Sequence, residues 1–124
     1  MMNRCMVIGH VGQDPEQRFM PSGDPVTNFS VATTNPWKDR NGAKQESTEW
    51  FNCAAFGALA DVVVKYVKKG SRVYIDGPMQ SSEYTDRDGI KRRNWRLRVE
   101  NLKLLDRAPD ATKALADLPD DIPL

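Results

Sequence analysis

Apolar residues in this chain recur mostly at every second position, in short runs separated by glycine, proline and aspartate. Alternation of period two puts one row of side chains on each face of a strand, so these runs predict half-buried strands. Residues 3–11 read as the first, ended by Gly12 and the Asp14-Pro15 pair, with a short extended piece around Arg18 to Met20. Residues 26–34 set Phe29, Val31 and Thr33 against Asn28, Ser30 and Ala32. Residues 48–56 set Phe51, Cys53 and Ala55, the better core row, against Trp50, Asn52, Ala54 and Phe56. Residues 72–79 put Val73, Ile75, Gly77 and Met79 on one face, and residues 94–105 do the same with Trp95, Leu97 and Val99. Between the last two, Asp86-Arg87-Asp88-Gly89 is a hairpin-turn signal.

Two segments break the alternation. In residues 58–69, Leu59, Val62, Val63, Tyr66 and Val67 fall at helical spacing. Lys68 and Lys69 suit the negative end of the helix dipole there, and Gly70 suits a left-handed terminus. Residues 35–47 are polar with no apolar period, which predicts a long exposed loop. Three strands, one helix and two further strands is the order of an all-β OB-fold, a five-stranded Greek-key barrel with its helix between strands 3 and 4. Residues 1–105 form that domain, and residues 106–124, rich in Ala, Asp and Pro, read as a short, largely mobile acidic tail. The alternative for the tail is one docked amphipathic turn built on Ala111, Ala114, Leu115 and Leu118.

Charge sharpens that division. The total of +1 hides a tail of −3, with Arg107 and Lys113 against Asp106, Asp110, Asp117, Asp120 and Asp121, and a body of +4. No apolar run approaches the ~20 residues of a membrane span, and the first residues lack the apolar stretch of a secretory signal, so a cytoplasmic, nucleoid-associated protein away from membranes is expected. Cys5 and Cys53 sit in strand-like runs and read as buried free thiols.

No catalytic constellation, metal-ligand spacing or phosphate-cradling motif is present, and His10 stands alone, so neither an enzyme nor a cofactor is expected. The aromatics carry the functional signal. Trp37 lies in a polar stretch beside Lys38 and Arg40, either folding back onto the barrel or offering a stacking surface flanked by phosphate-neutralising cations. Trp50 and Phe56 end one strand face with small and polar residues between them, a row that suits stacked bases or a covering subunit. Tyr84 precedes the hairpin turn, and Lys91-Arg92-Arg93 with the outward Arg96 and Arg98 supply positive charge near it.

Residues 7–18 (Val-Ile-Gly-His-Val-Gly-Gln-Asp-Pro-Glu-Gln-Arg), Thr48-Glu49-Trp50-Phe51-Asn52 with Phe56-Gly57-Ala58-Leu59-Ala60, and residues 69–77 (Lys-Gly-Ser-Arg-Val-Tyr-Ile-Asp-Gly) resemble the bacterial single-stranded DNA-binding protein family. The resemblance implies an OB-fold subunit, usually a homotetramer, that wraps single-stranded DNA in replication, recombination and repair. It puts Trp37, Trp50, Phe56 and Tyr84 at the family's base-stacking positions and adds Lys69 and Arg72 to Lys38, Arg40 and Arg96 as DNA-binding cations. It likens Asp120, Asp121, Ile122, Pro123 and Leu124 to the acidic tip that recruits genome-maintenance proteins. The chain departs from the family pattern at Tyr84, often tryptophan, at Glu83, where a base is common, at the large Trp95, and at Leu124, where phenylalanine is usual. An adaptor protein on the same barrel, its nucleic-acid face given over to protein contacts, is the competing reading.

Overall fold

The computed structural model describes residues 1–105; the tail, its amphipathic turn and the tip from Asp120 to Leu124 lie outside the described residues. The alternating runs become β1 (Cys5–Val11), β2 (Glu16–Phe19), β3 (Pro25–Lys38), β4 (Lys44–Phe56), β5 (Arg72–Gly77), β6 (Met79–Thr85), β7 (Lys91–Arg98) and β8 (Asn101–Leu104). The helical run becomes α1 (Ala58–Tyr66), between β4 and β5.

The strands form one sheet in the order β6-β7-β4-β3-β1-β5-β8, with β2 paired to β3. Pairing is antiparallel except where β4 meets β7 in parallel, at Cys53↔Leu97 and Ala54↔Arg98. The sheet curls until the end of β5 reaches the end of β7, where the Glu100 N–H donates to the Asp76 carbonyl at 2.8 Å and the Arg98 N–H to the carbonyl of Pro78, between β5 and β6, at 2.9 Å. The ladder does not close, which gives the partly open barrel of the OB-fold.

The inward rows fill the barrel as the alternation predicts. Val7, Val31, Cys53, Ala55, Val73, Ile75, Leu97 and Val99 are buried together, and α1 covers them with Leu59 and Val63. Thr27 fixes the helix by donating its hydroxyl to the Ala60 carbonyl at 2.7 Å. Truncating Ile75, fully enclosed, to alanine costs about 2–5 kcal/mol on the usual scale for such cores. Burial pushes the Cys53 thiol up to about 12, with the nearby Cys5 thiol adding to the effect. Cys5, by contrast, is only half-buried, because it opens β1 at the barrel rim.

Asp76 on β5 holds a polar cluster at one end of the barrel. It accepts from the Tyr74 hydroxyl at 2.6 Å, from Asn101 Nδ2 at 2.8 Å and from the Arg4 guanidinium, which also reaches Glu100 at 3.0 Å. Desolvation pushes the carboxyl upward, but these donors together outweigh it and hold Asp76 below the ordinary carboxylate range.

Several sequence expectations are corrected. Cys5, read as buried, is half-buried, β5 ends at Gly77 with Met79 opening β6, and the run read as one strand over 94–105 is divided into β7 and β8, where the Arg98 and Glu100 N–H groups turn to the Pro78 and Asp76 carbonyls. The helix stops at Tyr66, short of Lys69: Val67 turns extended into the core, the Ser71 hydroxyl accepts the Lys68 N–H at 3.0 Å, and Asp14 accepts the Lys69 N–H at 2.9 Å. Side-chain acceptors thus divert the backbone from the helical ladder, and Gly70, with φ 89°, serves the turn that follows. The predicted loop over residues 35–47 is largely a two-stranded arm, with β3 and β4 in continuous register from Val26↔Phe56 to Lys38↔Lys44. Both faces of that arm meet solvent, so no apolar alternation marks it.

Candidate nucleic-acid interface

The outward row of β4 is built by its register with β3. Trp50 pairs with Ala32, Asn52 with Ser30, Ala54 with Asn28, and Phe56 with Val26. Cross-strand partners share a face, so a shallow strip of small and amide side chains runs between the two aromatics. Trp50 is 59 % exposed, Ala54 is enclosed, and Phe56 is half-buried.

At one end of the strip Trp50 lies against Gly12. A Cβ at position 12 would overlap the indole atoms Cζ3 and Cη2, so glycine leaves the space that the ring occupies there. The same level continues across the sheet, from Trp50 to Ala32, from Ala32 to His10 and from His10 to Arg72. Arg72 of β5 therefore shares the face of Trp50 although 22 positions separate them in the chain. Lys69 lies in the turn just before β5, beside the loop that follows β1, since its N–H is bound by Asp14.

At the other end two cations cover Phe56. The guanidinium carbon of Arg98 lies 4.8 Å from the ring centroid and that of Arg96 5.5 Å, both within cation–π range. Their place follows from the parallel pairing of Ala54 with Arg98, which puts Arg98 and Arg96 on the outward face. Sequence reading counted Arg96 among the binding residues and Arg98 only as its outward neighbour. The period-two row that contains Arg96 was the signal for both.

Two arms project from this surface. The β3–β4 arm carries Trp37, paired with Gln45, and Lys38, paired with Lys44. By strand alternation Lys38 falls on the face of Trp50, whereas Trp37 falls on the opposite face. The β6–β7 arm carries Tyr84, paired with Arg92, and Gln80, paired with Arg96. Alternation thus aligns Tyr84 with Arg96, Arg98 and Phe56. Glu83 faces the other way, bound to Arg93 at 2.8 Å, so its charge is neutralised away from the aromatic row.

The arms end in the same kind of turn. Asp39 Oδ1 accepts the Asn41 and Ala43 N–H groups, each at 2.9 Å, and Asp86 Oδ1 accepts those of Asp88 and Ile90 at 3.0 and 2.9 Å. Gly42 and Gly89 follow with φ 78° and 76°, a left-handed geometry that strains any other residue. In each turn the residue after the aspartate is an exposed arginine, Arg40 or Arg87. Asp86 is also bonded by Arg92 at 2.5 Å, and that bond, with the backbone donors, holds its carboxyl below the ordinary range.

Trp50, Phe56, Tyr84, Arg96 and Arg72 thus fall on one face of the sheet, with Lys38 at its margin. Trp37 lies on the far face of its arm, Arg40 at the tip of that arm, and Lys69 off the strands. Sequence reading missed Gly12, whose only signal was its place after β1, and put Trp95 in the core row of Leu97. Trp95 does share that row, but β4 and β7 part beyond Leu97, so the row leaves the barrel and the indole is 53 % exposed.

Among the described residues no group of three His, Cys, Asp or Glu side chains is placed to hold a metal ion. No described helix is long and apolar enough to cross a membrane.

The single-strand binding protein family model matches residues 2–105. A single-stranded DNA-binding protein of Neisseria meningitidis serogroup A is 44 % identical over 104 residues, which is 84 % of this chain and 60 % of that protein. Single-stranded DNA-binding protein 1 of Xylella fastidiosa is 39 % identical over 113 residues, 90 % of this chain and 83 % of that one. Among solved structures, a complex of Plasmodium falciparum SSB with ssDNA superposes with a TM-score of 0.78 at 29 % identity, covering 86 % of this chain and 96 % of that one. The chain thus spans about 60 % of the length of the Neisseria relative.

Proposed function

The chain belongs to the single-strand binding protein family, and from that premise we propose that it binds and coats single-stranded DNA without strong sequence preference. The observation that carries this reading is the outward row from Trp50 to Phe56, flanked by Arg96, Arg98 and Tyr84. Aromatic faces accept any base, while guanidinium groups neutralise the phosphates between them, which is the chemistry of sequence-tolerant single-strand binding. The adaptor alternative leaves this row without a ligand that uses both its aromatic and its cationic character.

In this reading residues 1–105 are the DNA-binding domain, with Trp37, Lys38, Arg40, Lys69 and Arg72 extending the path of the strand beyond the central row. The domain performs no chemistry on the DNA and requires no cofactor. Residues 106–124 are the partner-binding tail, in which Asp120 and Asp121 meet a basic groove and Ile122, Pro123 and Leu124 anchor the contact on replication, recombination and repair proteins. A homotetramer is supported by Met6 and Ile8, exposed apolar residues on β1, where the ladder with β3 is confined to His10 and Val11 and leaves most of one strand edge open.

Titration of labelled oligo-dT, with duplex DNA as comparator and light scattering on the same sample, tests the reading. Tight binding of the single strand alone, by a species four times the subunit mass, is expected. Equal or absent binding of both DNAs overturns it. Deleting the residues after Asp110 should leave DNA affinity unchanged or raise it, because net negative charge is removed.

A further inference from the structure

We propose that the fork between the two arms receives a single unstacked base of the DNA strand, with Trp95 as the wall on which that base stacks. The proposal rests on the single-strand-binding reading above and assigns a role to a residue outside the aromatic row.

The fork arises because β4 and β7 pair only at Cys53↔Leu97 and Ala54↔Arg98 and then separate into their arms. The separation leaves an open groove of about 420 Å³, within the range of about 300–1,000 Å³ that small ligands occupy. Trp95 lies on its wall, half-exposed. A large ring at the point where the core row leaves the barrel gains little from folding, because β4 no longer pairs with β7 at its level and half of it stays exposed.

The lining chooses between the parts of a nucleotide. Gln13, Asn28, Asn52 and Asn94, each with a primary amide, line the groove. Each amide offers donors and an acceptor side by side, a match for the hydrogen-bonding edge of a base. Two carboxylates, Asp14 and Glu16, also line it, the first bound to the Lys69 N–H and the second to Arg18 at 3.0 Å. Arg18 offsets the charge of Glu16, while the Asp14 carboxylate repels a phosphate and leaves a neutral base unaffected. Arg96, the lining cation, is stacked over Phe56. An aromatic wall, neutral amides and the Asp14 carboxylate fit the base, while the phosphates stay outside on the arginine-bearing face.

The test uses the full chain and fluorescein-labelled oligo-dT, read by anisotropy. Trp95→Ala should weaken binding about 5- to 150-fold, the range for one lost stacked base, whereas Trp95→Phe should keep most of the affinity. The slope of log affinity against log salt should stay unchanged in both, since no phosphate contact is lost. In the unaltered protein, 5-iodouracil placed in the oligonucleotide should photocrosslink to Trp95, located by peptide mass spectrometry. Normal affinity of Trp95→Ala beside a weakened Trp50→Ala, or crosslinks confined to Trp37, Trp50 and Tyr84, overturns the inference and leaves the single-strand reading intact. Failure of the unaltered protein to bind oligo-dT overturns both.

Discussion

Gly12 and Trp50 form a fitted pair in which the absence of a side chain on one lets the indole of the other lie against the backbone. The φ of Gly12 is not positive, so alanine suits the backbone there, and a Cβ would overlap the indole and press more lightly on the Ser30 hydroxyl. Trp50 is well exposed and free to swing outward. Gly12→Ala should therefore change stability by less than about 1 kcal/mol while weakening DNA binding in the direction of Trp50→Ala. The double variant should bind no worse than Trp50→Ala alone, the non-additivity expected of two changes acting on one ring. Thermal melts and oligo-dT titrations check both parts.

The two ends of the strip should respond differently. Trp50→Ala should cost about 1–3 kcal/mol of binding, the range for one stacked base, with an unchanged salt slope. Phe56→Ala also removes the surface that orders Arg96 and Arg98, so it should lower affinity and make the salt slope shallower. Titrations between low and moderate salt separate these outcomes.

Among the arginines, position outweighs charge. Arg96→Ala should reduce the salt slope by about 0.7, the share of one phosphate on a single strand. Arg93→Ala should leave the slope unchanged, because Arg93 is bound to Glu83 on the opposite face of its arm. Equal slopes for the two variants contradict the assignment of the binding face.

Acid should loosen the barrel at Asp76. Its carboxyl is held below the ordinary range, so the folded protein binds that proton less readily than the unfolded chain, whose carboxylates titrate near about 3.9. The contribution is complete above that value and is lost as pH falls from there through the lower folded pKa. Tyr74 acts at the other extreme. Its hydroxyl is raised chiefly by donating to Asp76, so its contribution is complete below the ordinary tyrosine range and is lost as pH rises through the raised value. Asp76→Asn should lower stability at neutral pH by about 1–3 kcal/mol and flatten the acid limb of Tm against pH.

Strand positions were legible where one face is buried, as in the row of Phe51, Cys53 and Ala55, because alternation reports a core on one side. The same logic failed for the β3–β4 arm, where Trp37 to Gln45 meets water on both faces and leaves no periodic trace. Trp50 and Phe56 were found as a pair because they share a strand, and Tyr84 by its place before a turn signal. Gly12 against Trp50, Arg98 over Phe56 and Arg72 level with Trp50 arise from pairing between segments distant in the chain. Local periodicity holds no information on that register. Trp95 shows the limit most directly: its row was read correctly, and only the divergence of β4 from β7 determines where the row leaves the core.

The matching turns at Asp39 and Asp86 also bear on how the chain reaches its native state. Each gathers its hydrogen bonds within a few residues, so each arm can zip from its own tip at the microsecond pace of hairpins. The parallel contact of β4 with β7 and the pairing of β1 with β5 join segments more than 40 positions apart and wait on slow loop closure. Arms first and barrel second is the resulting order. Asp39→Ala or Asp86→Ala should then slow refolding, whereas truncations near the β4–β7 junction, such as Leu97→Ala, should act mainly by speeding unfolding.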